Sequence, residues 1–117
     1  MEISLPEIID RITILKLKIE NGGADFKEEL EEYQKALKEF EDRGVKINPE
    51  WINELYERNK YQWGLESSLR KLKEKKEDLK EMGKLYIELQ ISNKKRVAIK
   101  NRIAENSGSG FKDIKIN

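Results

Sequence analysis

The chain of 117 residues contains no cysteine and no histidine. Without cysteine it has no disulfide, thiolate metal site or thiol nucleophile, and without histidine it lacks the commonest metal ligand and general base. We therefore expect no metal and no cofactor, and much enzyme chemistry is excluded. Long apolar runs are also missing, and the opening MEISLPEIID lacks the basic start and apolar core of a signal peptide. These absences predict a cytoplasmic protein with no membrane contact.

The chain also lacks an excess of charge of one sign. It has 24 basic and 23 acidic residues, which gives a net charge of +1. Because no global field steers it toward a polyanion, we predict that nucleic acid is not a partner. Charged residues nevertheless make up 40% of the chain, and this composition is typical of long amphipathic helices. A single all-α domain spanning residues 1–117 is expected.

Glycine and proline divide the chain into four predicted helices and a tail. The pattern predicts a helical hairpin over 5–43, a long helix over 49–78, a helix over 84–105 and a tail over 107–117. Gly22 and Gly23 separate the two helices of the hairpin, and Gly83 is expected to break the chain before the last helix. The predicted fold is an antiparallel four-helix bundle.

Local signals also predict how the elements begin. Ser4 with Glu7, and Asp25 with Glu28, have the spacing of capping boxes. Asn48 followed by Pro49 is typical of a cap and a first helical residue. Residues 111–116 alternate apolar with polar residues, and we predict that they pair with residues 2–4 as a short terminal strand pair.

Two predicted helices carry more apolar surface than one face holds. Helix 1 has its main stripe on one side, with Ile14 and Leu17 on the other, and helix 3 has two apolar seams. Such a helix is either central in the bundle or in contact with a second subunit. A homo-oligomer that self-associates through helix 1 or helix 3 is therefore expected.

The last helix places polar groups on its own apolar face. Asn93, Arg96 and Lys100 fall at the centre of the stripe that carries Leu85 and Ile103. Five basic residues and no acidic one lie between positions 94 and 102. Cations fixed along one helix face suit carboxylates or phosphates. The alternative is ion pairing with helix 2, within the chain or across a dimer, because residues 25–43 include eight acidic and four basic side chains.

Polar side chains interrupt helix 3 as well, at Asn59, Gln62, Trp63, Glu66 and Arg70. If they face the last helix, a polar pocket forms between helices, and the alternative is a buried polar network that sets their register. Asp10, Thr13 and Lys18 form a third set, interpreted as a solvent face of helix 1. The candidate site for an anionic or polar small molecule comprises six residues: Trp63, Glu66, Arg70, Asn93, Arg96 and Lys100.

Three blocks of the chain, EISLPEIIDRITILKLKIE, QWGLESSLRKLK and SNKKRVAIKNRIAE, resemble a small bacterial helical domain family of unknown function. Genes of this family are often met near glycosyltransferase and tetratricopeptide genes of surface-polysaccharide clusters. The resemblance covers nearly the whole chain and falls on the three polar sets named above. At the end of the last helix the family tends to have Ile-Asn, whereas this chain has Ile103 and Ala104.

Two functions follow as hypotheses. The first is a non-enzymatic, oligomerising interaction or accessory module that binds a protein partner, with a link to polysaccharide or glycan assembly implied by the resemblance. The second is a small all-α enzyme acting on an anionic small molecule in the style of chorismate mutases. In that case Arg11, Arg70, Arg96 and Lys100 would hold the substrate, with Gln62 or Glu66 at its reacting centre.

Overall fold

The computed structural model describes residues 2–75 and 79–107, together with the backbone of Ile114–Lys115. These residues form four α-helices, and the predicted all-α bundle is confirmed. The helices are α1 (Leu5–Glu20), α2 (Lys27–Asp42), α3 (Pro49–Lys75) and α4 (Leu79–Asn106), with a 3-10 turn at Ala24–Phe26 before α2. Strand β1 (Glu2–Ile3) pairs antiparallel with β2 (Ile114–Lys115), so the predicted terminal pairing is confirmed there. The remainder of the predicted tail, 108–113 and 116–117, lies outside the described residues.

Helix α1 is the centre of the bundle. It packs against α2, α3 and α4, and Ile8, Ile9 and Ile12 are completely or almost completely buried. Leu17, on the second apolar face, is buried as well, and Ile14 is half-buried. Of the two expectations for helix 1, the central position is therefore observed. Most of the apolar surface of α1 is therefore covered within the monomer.

One predicted cap forms and two do not. The backbone N–H of Glu50 donates to Oδ1 of Asn48 at 3.0 Å, as the Asn-Pro signal predicts. Ser4 occupies the N-cap position of α1, but its side chain makes no capping hydrogen bond. Glu7, its expected reciprocal partner, forms an ion pair with Lys100 instead. The second predicted capping box is wrong because Asp25 lies inside the 3-10 turn, so the N-cap position of α2 falls to the next residue.

Gly83 does not break the chain, and that prediction is wrong. Helix α4 begins at Leu79 and continues through Gly83 with helical backbone geometry. Among the described residues, positive φ angles occur at Gly22 and Gly44, which end α1 and α2. A glycine inside a helix costs about 1 kcal/mol relative to alanine, a penalty that the strong helix formers around Gly83 offset. Residues 76–78, where helix 3 was predicted to end, lie outside the described residues.

The hairpin of α3 and α4 extends past the core. The two helices are antiparallel, as shown by hydrogen bonds from Tyr61 to Glu88 and from Ser92 to Gln62. Between positions 61 and 91, Leu69, which is 7% exposed, is the one buried side chain in the described part of the hairpin. The hydrophobic core includes Trp51, Leu55 and Ile103, which lie at the other end of the hairpin, near the start of α3 and the end of α4. Across residues 2–75 and 79–107, every helix is too short or too polar to cross a lipid bilayer.

Replacing Gly83 by alanine tests the continuity of α4. We expect Gly83→Ala to raise the free energy of unfolding by about 0.5–1 kcal/mol, because alanine loses less backbone entropy and the added Cβ meets no atom within 4 Å. Urea denaturation followed by circular dichroism measures the change. Gly44→Ala is the matched control: its Cβ also meets open space, but its φ of +101° strains alanine and should lower stability. Destabilisation by Gly83→Ala would contradict a continuous helix.

Candidate functional site

A buried polar cluster joins α1 to α3. Asp10 and Thr13 on α1 are 3% and 0% exposed, and Asn59 on α3 is 5% exposed. Nδ2 of Asn59 donates to Oδ1 of Asp10 and to Oγ1 of Thr13, each at 2.8 Å. The Thr13 hydroxyl donates to the carbonyl oxygen of Asp10 at 2.7 Å. These bonds satisfy groups whose burial without partners would destabilise the fold.

Two cations of α4 complete the cluster. Oδ2 of Asp10 lies 3.9 Å from Nη1 of Arg96 and 3.7 Å from Nζ of Lys100. Lys100 also forms an ion pair with Glu7, one turn earlier on α1. Arg96 and Lys100 of the basic segment therefore pair with α1, and Arg102 pairs with Glu54 of α3. Among the described residues no ion pair joins this segment to helix 2 within the chain, and pairing across a dimer stays a prediction. Both carboxylates and both cations belong to one neutral cluster, which favours burial of Asp10.

An open cleft of about 170 Å³ lies beside this cluster, between α1, α3 and α4. It combines apolar side chains, amides and groups of both charges. Its lining residues are Ile14, Leu17, Lys18, Asn59, Gln62, Trp63, Glu66 and Arg96. The structure thus brings Trp63, Glu66 and Arg96 together, three of the six predicted site residues, and adds Lys18 and Gln62 from the other polar sets.

The other three predicted residues lie elsewhere. Arg70 is exposed and donates to Oγ of Ser67 at 3.1 Å within its own helix. Asn93 is exposed because the helix turns by about 100° per residue and Ser92, its neighbour, takes the buried position at 1% exposure. Lys100 remains in the ion-paired cluster and lines a different cleft, of about 300 Å³, near the start of α1.

Sequence reasoning missed the buried role of Asp10 and Thr13, which it assigned to solvent. The signal was present in the spacing, since Asp10, Thr13 and Leu17 are separated by three and four residues and share one helix face. Two polar residues in line with a buried leucine indicate a polar contact inside the bundle. Their partner, Asn59, is one of the polar residues that interrupt helix 3, where a buried polar network was the predicted alternative.

A second and larger groove of about 620 Å³ runs along the other side of the α3–α4 hairpin. Tyr61, Ile91 and Ile99 supply its apolar lining, and its charged lining is mainly glutamate from α3 with Glu88 and Lys95 from α4. The groove has no counterpart among the predicted sites, because its residues look like ordinary solvent-exposed positions of an amphipathic helix.

The end of α1 is also tied to α3 by a tyrosine. The Tyr56 hydroxyl donates to Oε2 of Glu20 at 2.5 Å. This hydrogen bond, together with the negative charge of Glu20, raises the pKa of Tyr56 above its ordinary value. Because a tyrosine is protonated at physiological pH even at its ordinary pKa of about 10, Tyr56 acts here as a donor.

The four cations required by the enzyme hypothesis do not share a cleft. Arg11 and Arg70 are exposed, Arg96 lines the cleft beside Trp63, and Lys100 is engaged by Glu7. Within the described ranges, no group of three or more metal-ligating side chains is placed to hold an ion. The geometry supports binding at the cleft more directly than a clamp of four cations around a substrate.

Removing the amide of Asn59 tests the buried cluster. We expect Asn59→Ala to lower the free energy of unfolding by about 2 kcal/mol, because Asp10 and Thr13 lose a shared donor and stay buried. Asn93→Ala is the matched control, since Asn93 is an exposed helical asparagine, and it should change stability by less than about 0.5 kcal/mol. Thermal and urea unfolding measure both variants. Equal losses in the two would show that the cluster does not hold the helices together.

Comparison with family models, with curated proteins and with solved structures finds no match to this chain. The resemblance carried by the three sequence blocks therefore stays a prediction.

Proposed function

We propose that the protein is a helical interaction module that self-associates through the outer face of its α3–α4 hairpin. The observation that supports this is a set of large apolar side chains exposed on the hairpin, beyond the part that α1 covers. They are Tyr61, Leu79, Tyr86, Ile87 and Ile91. Where such side chains cluster, exposed apolar surface on a small domain marks an interaction site.

Ile87 and Ile91 form the centre of the proposed surface. They are 58% and 44% exposed and lie one turn apart on α4, and Tyr61, 50% exposed, lines the same groove as Ile91. Few side chains are buried in this half of the α3–α4 hairpin. Leu69 is the one buried residue in its described part. Burying these side chains against another helix would stabilise both the contact and the hairpin.

The charges beside Ile91 favour a second copy of the chain as the occupant. Glu88 and Lys95 lie three residues before and four residues after Ile91, on the same side of the helix. If two α4 helices pack antiparallel about a two-fold axis at Ile91, Glu88 of each copy approaches Lys95 of the other. Such an isologous contact is self-complementary in both shape and charge.

The wider role that we propose is an accessory one in the cytoplasm, in the assembly of a polysaccharide or glycan. Its support is the resemblance of the three sequence blocks to a family whose genes lie near glycosyltransferase genes. A helical interaction module would act there by holding partner proteins together.

Self-association is tested by placing a charge at the centre of the surface. We expect the wild-type chain to sediment as a dimer at micromolar concentration and Ile91→Glu to sediment as a monomer, because two glutamates would be buried at the two-fold axis. Sedimentation velocity over a concentration series measures both. Val97→Glu is the matched control, since Val97 is equally exposed at 43% but lies on another side of α4. A wild-type monomer at high concentration, or equal loss in both variants, would refute the surface.

The register is tested by exchanging charges. Glu88→Lys should weaken the dimer several-fold, a modest effect because exposed ion pairs contribute about 0–1 kcal/mol. Lys95→Glu added to it should restore most of the affinity. If the double variant is weaker than Glu88→Lys alone, the antiparallel register about Ile91 is wrong.

The glycan role is tested in the source cell. Deleting the gene should reduce surface polysaccharide, and the wild-type gene should restore it while Ile91→Glu should not. Unchanged polysaccharide after deletion would contradict the accessory role and would leave self-association to be judged by sedimentation.

A further inference from the structure

The cleft between α1, α3 and α4 contains an unsatisfied donor. Arg96 lines this cleft, and its Nε is buried and has no hydrogen-bond partner among the described residues. Its guanidinium approaches Asp10 at 3.9 Å, which is too long for a hydrogen bond. A buried N–H without an acceptor is unfavourable, so an acceptor entering the cleft would stabilise this arginine.

Two more donors line the same cleft. The Lys18 ammonium lies 4.7 Å from the centre of the Phe26 ring, and no described carboxylate is within ion-pairing distance of it. Oε1 of Gln62 accepts from the Ser92 hydroxyl at 3.2 Å, which leaves the amide nitrogen of Gln62 as a donor. Three helices thus each contribute a donor, a combination that suits an anionic acceptor.

The rest of the lining restricts the ligand. Trp63 offers a flat apolar wall, with Leu17 on the opposite helix. The cleft volume of about 170 Å³ is below the roughly 300–1,000 Å³ typical of sites for drug-sized ligands. The exposed carboxylate of Glu66 disfavours a second negative charge on the ligand.

We propose that this cleft binds a small organic monocarboxylate with a flat apolar body. Arg96, Lys18 and Gln62 hold its carboxylate, and its apolar part packs on Trp63. The planar guanidinium can give a carboxylate two parallel hydrogen bonds, one of them from the unsatisfied Nε. The inference does not depend on self-association, because the surface around Ile91 lies on the other side of the hairpin.

Benzoate and benzamide are matched probes, since they share a shape and differ in charge. The two tryptophans report separately: Trp63 lines the cleft, whereas Trp51 is buried in the core. In proton–nitrogen correlation spectra, with the indole signals assigned through Trp63→Phe, we expect benzoate to shift the Trp63 signal and leave the Trp51 signal in place. Benzamide and inorganic phosphate should each bind at least about ten-fold more weakly, because one lacks the charge and the other lacks the apolar body.

Two variants locate the carboxylate contacts. Arg96→Lys keeps the positive charge beside Asp10 but removes the bidentate donor pair, and Lys18→Gln removes a charge outside the buried cluster. Each should weaken benzoate binding at least about five-fold, measured by titration of the Trp63 signal. Lys94→Gln, an exposed α4 lysine outside the cleft, is the control and should bind as the wild type does. If Arg96→Lys fails to fold, Lys18→Gln still decides the outcome.

Three results would overturn the proposal. One is equal affinity for benzoate and benzamide, which would show that the donors do not recognise charge. Another is benzoate binding that Lys18→Gln leaves unchanged, and the third is a Trp63 signal that saturating benzoate does not move. Phosphate binding as tight as that of benzoate would replace the carboxylate class with tetrahedral anions.

Discussion

The burial of one carboxylate, that of Asp10, governs the arrangement of the helices. An ionised aspartate on the central helix is strongly unfavourable unless its partners are fixed around it. Here the partners come from two other helices: Asn59 donates from α3, and Arg96 and Lys100 approach from α4. A shift of either helix by one residue would rotate its donor away from Asp10. The cluster therefore sets the register of α1, α3 and α4 together.

This constraint acts on one half of the α3–α4 hairpin. The half that carries Asn59 and Lys100 shares the core of α1, whereas the half around Leu69 and Ile87 is covered by little besides its own partner helix. Two-stranded helical packing leaves a large share of each apolar side chain in water. The half of the hairpin with Asn59 and Lys100 is well buried, and the half with Leu69 and Ile87 is exposed. This difference is the physical reason to expect partners at the exposed half.

The sequence predicted those features that depend on neighbouring residues. Asn48 with Pro49 marks a helix start because its capping bond is local, and Gly22 ends α1 because it adopts positive φ. The predicted helix break at Gly83 was wrong because neighbouring residues do not distinguish a glycine that ends a helix from one that is tolerated inside it. Ser4 and Glu7 misled because a distant lysine competes for the glutamate. In the candidate site, the pattern of polar residues within apolar helix faces predicted Trp63, Glu66 and Arg96. That Arg70 and Asn93 face solvent depends on how the helices pack, which the pattern does not show.

The cleft and the groove are separate surfaces that share one hydrogen bond. Gln62 lines the cleft and Ser92 lines the groove, and the Ser92 hydroxyl donates to the Gln62 side chain through the hairpin. A carboxylate held by the Gln62 amide would fix the side chain that accepts from Ser92. Ligand binding would affect self-association only if the Ser92–Gln62 hydrogen bond differed between the associated and the free chain. The reason is that a ligand shifts an equilibrium only when it binds the two states with different affinity. Ser92 is 1% exposed before any partner binds, so its contact with Gln62 belongs to the monomer as well. The geometry therefore favours two surfaces that act independently.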